Sequence, residues 1–142
     1  MPADNMQENM AANPSLLGMH EFSFHVNLAN VTAAAMLSSF VPGYKFAIKS
    51  VRFAVETAVT TAAKAATLTP TISGATVTGG VLALTSANCT PKGVIVSGTS
   101  VTGANRDNEG SATDSVTITA SSVTAFVEGQ GELVVTLLNR EV

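Results

Sequence analysis

Ten consecutive residues, Phe46–Val55, read FAIKSVRFAV. Phe46 and Ile48 alternate with their neighbours as a half-buried strand requires. Val51, Phe53 and Val55 alternate as well, but on the opposite parity. Side chains along a strand repeat every two residues, so a one-residue slip sends everything downstream to the other face of the sheet. One strand with a defect, two strands, or one strand that turns a corner would each produce this pattern. A hairpin is disfavoured because no turn pair separates the halves. A β-bulge at Lys49-Ser50 absorbs the extra residue, bends the strand and keeps all five apolar side chains in one core. Lys45, Lys49, Arg52 and Glu56 then point outward. Bends of this kind carry a strand from one sheet of a sandwich toward the other. A straight strand here would instead turn one apolar set toward a partner, marking an interface.

The rest of the chain reads as short strands between turns. In HEFSFHVNL, Phe22, Phe24, Val26 and Leu28 alternate with Glu21, Ser23, His25 and Asn27, predicting a half-buried strand over 20–28. NVTAAAMLSSFV is the one stretch suited to a short helix or helical turn, with Asn30 as its cap and Pro42-Gly43 as its end. Residues 57–67 read as a connection. Strands are expected near 67–73 and 81–85, with Pro70 placing the first at a sheet edge. Pro91–Gly93 makes a turn before a strand through Val94 and Val96. ANRDNEGSATD is the most polar internal stretch and reads as a surface loop. SVTITA and VTAFVEG follow, then Gln130-Gly131 as a turn, then ELVVTLLN. That last strand is apolar on both faces, which suits a central strand of a sandwich or burial against another subunit. Eight or nine short strands rich in Val and Thr, both suited to pleated sheet, predict an all-β sandwich or barrel.

Composition narrows the class. Charged residues are 12% of 142, roughly half the usual ~25%. Hydrophobic residues are 46%, Trp is absent and there is one Tyr. Such a chain is poorly suited to keeping a large free surface soluble, and well suited to hiding surface in an assembly. A net charge of −3 with seven scattered basic residues argues against nucleic acid. No run reaches the roughly 18–20 apolar residues of a membrane span. The N-terminus has neither the basic nor the apolar region of a secretory signal. The single cysteine, Cys89, cannot pair within the chain and is expected to be a buried small hydrophobe. Residues 1–19 stand apart: Met1, Met6, Met10 and Met19 lie among Asn, Gln, Asp and Glu, with Pro2 and Pro14 discouraging regular structure. They read as a disordered terminus or as an arm that orders against a neighbour.

No catalytic constellation stands out. His20 and His25 are five apart on one strand and face opposite sides, poor geometry for a shared metal, so each is expected at a surface or interface. No G-x-S-x-G elbow is present. Asp107, Glu109, Asp114, Glu128 and Glu132 are the carboxylates available for paired acid–base work, and all sit in or beside loops and turns, where solvated charge is the expected role. RDNEGSATD lacks the spacing of an EF-hand loop. VTGG is not followed by Lys-Ser/Thr, so no phosphate loop is read there. Asn30-Val31-Thr32 and Asn88-Cys89-Thr90 match the glycosylation sequon, which arises easily by chance. No catalytic residue, metal or cofactor is therefore expected.

The stretch from Lys45 to Gly93, beginning KFAIKSVRFAVETAV, together with SVTITASSVTAFVEGQGELVVTLLN, resembles the small structural proteins of tailed bacteriophages. The similarity covers roughly residues 42–139. Size and β pattern are most similar to capsid cement, or decoration, proteins. The resemblance implies a jelly-roll-like antiparallel β-sandwich that binds the outer surface of the shell as a dimer or trimer and bridges major capsid protein subunits. It also implies a virion protein made in the host cytoplasm, without enzymatic activity. The expected organisation is an extended N-terminal arm, 1–19, and a β-sandwich domain, 20–142. Met6, Met10, Leu16, Leu17, Met19, Phe22 and Phe24 are the candidate partner-binding residues. A tail-fibre or receptor-binding β domain using loop 104–114 is the alternative. A secreted carbohydrate-binding or adhesin module is a further one, against which the shortage of Trp and Tyr counts.

Overall fold

The computed structural model describes residues 18–141. Ten strands form two antiparallel sheets facing each other across one core. In chain order they are β1 (Met19–Asn27), β2 (Met36–Phe40), β3 (Phe46–Thr57), β4 (Ala65–Ile72), β5 (Ala75–Thr76), β6 (Leu82–Thr85), β7 (Ile95–Ser97), β8 (Glu109–Gly110), β9 (Val116–Thr124) and β10 (Gln130–Asn139). The first sheet runs β1-β10-β3-β7, with β8 beside the other half of β3. The second runs β2-β9-β4, with β6 and β5 sharing the far side of β4. Successive strands alternate between the sheets at most steps, and the last two strands insert beside the first two. That is the winding of a jelly roll.

The slip in FAIKSVRFAV is a bulge. β3 is one continuous strand of twelve residues. Its register with β10 jumps from Ser50↔Thr136 to Ile48↔Leu137, leaving Lys49 as the extra residue. Phe46, Ile48, Val51, Phe53 and Val55 are all buried in the same core, while Lys49 is exposed. Magnitudes explain the outcome. A straight strand would turn Phe46 and Ile48 out of the core at roughly 1.5–3 kcal/mol each. A bulge disrupts one or two ladder hydrogen bonds, worth about 0.5–1.5 kcal/mol net apiece.

The bulge also divides the neighbours of β3. β7 pairs with Arg52–Ala54, past the bulge, and β8 pairs with Phe46 and Ala47, before it. Between the two, the Asn108 carbonyl accepts from the Ile48 N–H at 2.8 Å. The Asn108 side-chain amide donates to the Ile48 carbonyl at 3.0 Å. The polar loop 104–114 is thus not wholly a surface loop: Asn108 and Gly110 are buried where it docks on β3.

Three other expectations are corrected. The segment 30–41, expected to be a short helix or helical turn capped by Asn30, instead follows a 3-10 turn at Leu28–Asn30 that Asn27 caps, makes a tight turn at 33–34 and then forms the strand β2. Ala-rich composition favours helix, but β2 is stitched to β9 through Met36, Ser38, Ser39 and Phe40. Pro70 is not at an edge, since β4 lies between β9 and the β5/β6 pair. The proline is tolerated because β6 pairs with residues 65–68 and β5 with 71–72, so no strand partner lies beside it on that flank. Gln130-Gly131 is not a turn but the start of β10; the chain reverses just before it, where Gly129 has φ 115°. β10 is central between β1 and β3, with Leu133, Val135 and Leu137 in the core between the sheets and Val134 and Thr136 also buried. Cys89 is fully buried, as expected.

Candidate functional site: the β1/β2 flank

The two flanks of the sandwich differ. On one, the outermost strands are short: β7 has three residues, and β5 and β8 have two each. On the other, β1 and β2 end their sheets together. β1 is nine residues long and pairs with β10 without a register break. Its other side meets no strand among the described residues. Proteins usually blunt such an edge with Lys, Pro or a bulge. β1 has none of these, whereas β2 is irregular between Met36 and Ser38.

Aromatic side chains fill the mouth between these two strands. Phe40 of β2 stacks on Phe22 of β1 with ring centroids 4.6 Å apart, and Phe24 lies 5.3 Å from it. All three are only half-buried. At the end of the row His20 meets Tyr44 edge-on at 5.2 Å, and its Nδ1 hydrogen-bonds the phenol oxygen at 2.8 Å. Burial pushes the Tyr44 phenol above its usual range. Met19 and Met36 on these strands, and Val41 just after β2, are large exposed apolar residues, Met36 being 64% exposed. Among the described residues the flank is therefore a backbone edge with no strand against it, bordered by apolar and aromatic side chains.

Of the candidate partner-binding residues, Met19, Phe22 and Phe24 lie on this flank, with Met19 exposed and the two phenylalanines lining its inner side. Met6, Met10, Leu16 and Leu17 lie outside the described residues, as does most of the 1–19 arm. Sequence reading missed Phe40, Met36 and Val41, because their stretch was read as helical. The Met-Leu-Ser-Ser-Phe spacing offers only a faint alternation.

The loop carboxylates hold loops in place. The Glu128 carboxylate accepts from the backbone N–H and hydroxyl of both Thr60 and Thr61, at 2.5–3.1 Å. These bonds, the Thr61 N–H foremost, lower its pKa below the ordinary 4.5. The Ser111 N–H and the Ser73 hydroxyl do the same for Asp114. Asp107 accepts from the Thr78 N–H and hydroxyl. Glu109 pairs with Arg140 at 3.1 Å. Burial raises the Cys89 thiol pKa, against a smaller pull from the Thr85 backbone. His25 and His20 do not converge. His25 instead faces Glu132, its register partner on β10, at 3.4 Å.

No protein-family model matches the chain. No curated protein matches it either. Among solved structures, a chain from the capsid of Ralstonia phage GP4 is similar, at 19% identity and a TM-score of 0.46, over 85% of this chain and 82% of that one.

Proposed function

We propose that this protein is a non-enzymatic structural subunit of a virus particle, and more narrowly a cement protein on the outer surface of a tailed-phage head, bridging major capsid protein subunits as a dimer or trimer. One observation carries the reading: a nine-residue edge strand, β1, without Lys, Pro or bulge and with no strand on its outer side among the described residues, beside exposed Met19, Met36 and Val41. Monomers avoid such edges because they recruit other strands. A subunit held in an assembly uses them, through strand addition and apolar contact. A charged fraction of 12% supports the same reading. Modest contacts repeated over an oligomer gain strength through effective concentration, so no single interface has to be large.

Residues 1–19 lead into β1 and are proposed to reach the shell or a sister subunit. The test is reconstitution on particles lacking the protein. The full chain should bind in many copies and raise the temperature at which heads rupture, and a chain lacking 1–19 should bind less. Full occupancy by the truncated chain would sink the arm. A copy number of only a few per particle, read from a stained gel, would favour the tail-fibre alternative.

A further inference from the structure

The outer face of the first sheet carries a second feature, which shares the strand β1 with the β1/β2 flank. His25 on β1, Glu132 on β10 and Glu56 on β3 come from three adjacent strands. One potential ligand atom from each lies within 4.8 Å of the others. We propose that these three side chains form a zinc-class divalent metal site.

Three points support it. The first is the donor set. One imidazole nitrogen and two carboxylate oxygens suit Zn²⁺ with a further position open to water or to a neighbour's side chain. The second is spacing. Ligands about 2.0–2.1 Å from a tetrahedral Zn²⁺ stand roughly 3.3 Å from one another, and His25 Nδ1 lies 3.4 Å from the Glu132 oxygen. Glu56 is exposed, and its ligand atom lies within 4.8 Å of the other two. The third is charge. On the same face Glu21 is neutralised by Arg52, which also hydrogen-bonds Thr136. Glu56 and Glu132 converge without a Lys or Arg partner among the described residues. Two carboxylates this close repel each other, and a cation held between them relieves that repulsion.

The scaffold is also specific. The register of β3 with β10 breaks a second time, from Thr57↔Gln130 to Val55↔Gly131, leaving Glu56 as the extra residue. Bulges commonly re-aim a side chain at a site. His25 and Glu132 are direct register partners and Glu56 lies within β3, so all three ligands sit on strands rather than on loops.

The experiment is calorimetric titration of ZnCl₂ into the full, untagged chain near neutral pH, with MgCl₂ as control. One Zn²⁺ per chain is expected, with little heat from Mg²⁺, and with affinity reduced at least tenfold in H25A and in E56Q. Saturating Zn²⁺ should also raise the thermal midpoint of the wild-type chain by several degrees, reversibly with EDTA, and leave that of the H25A/E56Q double variant unmoved. Both residues are exposed, so the metal-free variants should melt with the wild type, keeping loss of metal distinct from loss of fold. No saturable Zn²⁺ heat, or undiminished binding by the double variant, would overturn the assignment.

Discussion

At the residue scale, the two phenylalanines of FAIKSVRFAV depend on glycines they never meet in sequence. A methyl group on Gly110 would lie 2.3 Å from Phe46 Cζ, and one on Gly131 would lie 2.5 Å from Phe53 Cζ. Each ring thus occupies the space a neighbouring strand leaves by having no side chain. Phe46 and Phe53 are fully buried and cannot swing away. G110A should therefore cost about 1–3 kcal/mol through overpacking, read as a lower urea midpoint at unchanged slope. F46L should lose less in the G110A background than in wild type, because the smaller side chain makes room for the methyl. Additive losses in that double-mutant cycle would refute the contact. The phenylalanines were legible as core from parity alone. The glycines were not: a Gly in a polar loop or near a turn reads as turn chemistry, and only the fold brings a ring over it.

A second prediction at this scale concerns Glu128. Its hydrogen bonds to Thr60 and Thr61 lower its folded-state pKa. A lowered folded pKa means that the carboxylate contributes stability above its unfolded pKa, near 4.5. That contribution fades as pH falls through the folded value. Asp114 behaves in the same direction. The thermal midpoint should fall on acidification below about pH 4.5, and E128Q should flatten part of that fall while lowering the midpoint at neutral pH. An unchanged acid profile in E128Q would show that the clamp contributes nothing.

At the element scale, the bulge at Lys49 makes an asymmetric prediction. Lys49 is exposed, so K49A should change stability by no more than about 0.5 kcal/mol. Deleting Lys49 removes the register jump and turns Phe46 and Ile48 off the core, or shifts the other half instead. The cost should be roughly 3–6 kcal/mol, counting two buried side chains, out of the ~5–15 kcal/mol a domain possesses. Comparing the two variants by chemical denaturation tests whether the extra residue, rather than the lysine side chain, matters. N108A belongs to the same device. It leaves the Ile48 carbonyl without its side-chain donor beside the bulge and should cost about 1–3 kcal/mol.

Elements were legible where two apolar parities or a clean alternation existed, as in β1, β3 and β10. β2 was missed because an Ala-rich lead-in mimics a helix, and only pairing with β9 decides the outcome. Pro70 was misplaced because a gap between two short partners, β6 and β5, exempts an interior proline from the edge rule. The His25–Glu56–Glu132 cluster was out of reach for the same physical reason. Comparing His20 with His25 along one strand tests only local spacing, whereas the ligands lie across three strands joined in an order the sequence does not print.

At the scale of the whole molecule, the difference between the flanks sets how the protein should associate. The short strands β5, β7 and β8 offer little edge to a partner, while β1 offers nine residues of it. Met36 and Val41 border that edge and are 64% and 55% exposed, so they contribute little to the core. M36E/V41E should therefore leave the thermal midpoint of the monomer within a few degrees of wild type. If the flank is an interface, the same variant buries two unpaired carboxylates there and loses two apolar contacts. Losses of about 1.4 kcal/mol per tenfold in Kd then weaken self-association or shell binding by at least a hundredfold for a total near 3 kcal/mol. Sedimentation reads the first quantity and co-pelleting with particles the second. A substitution on the opposite flank, I95E, provides the control: Ile95 is 57% exposed but lies on a three-residue strand. Association reduced equally by both variants would mean that exposed apolar area alone drives assembly. Association reduced only by M36E/V41E would locate it at the β1/β2 edge. Association unchanged by M36E/V41E would remove this flank from the interface.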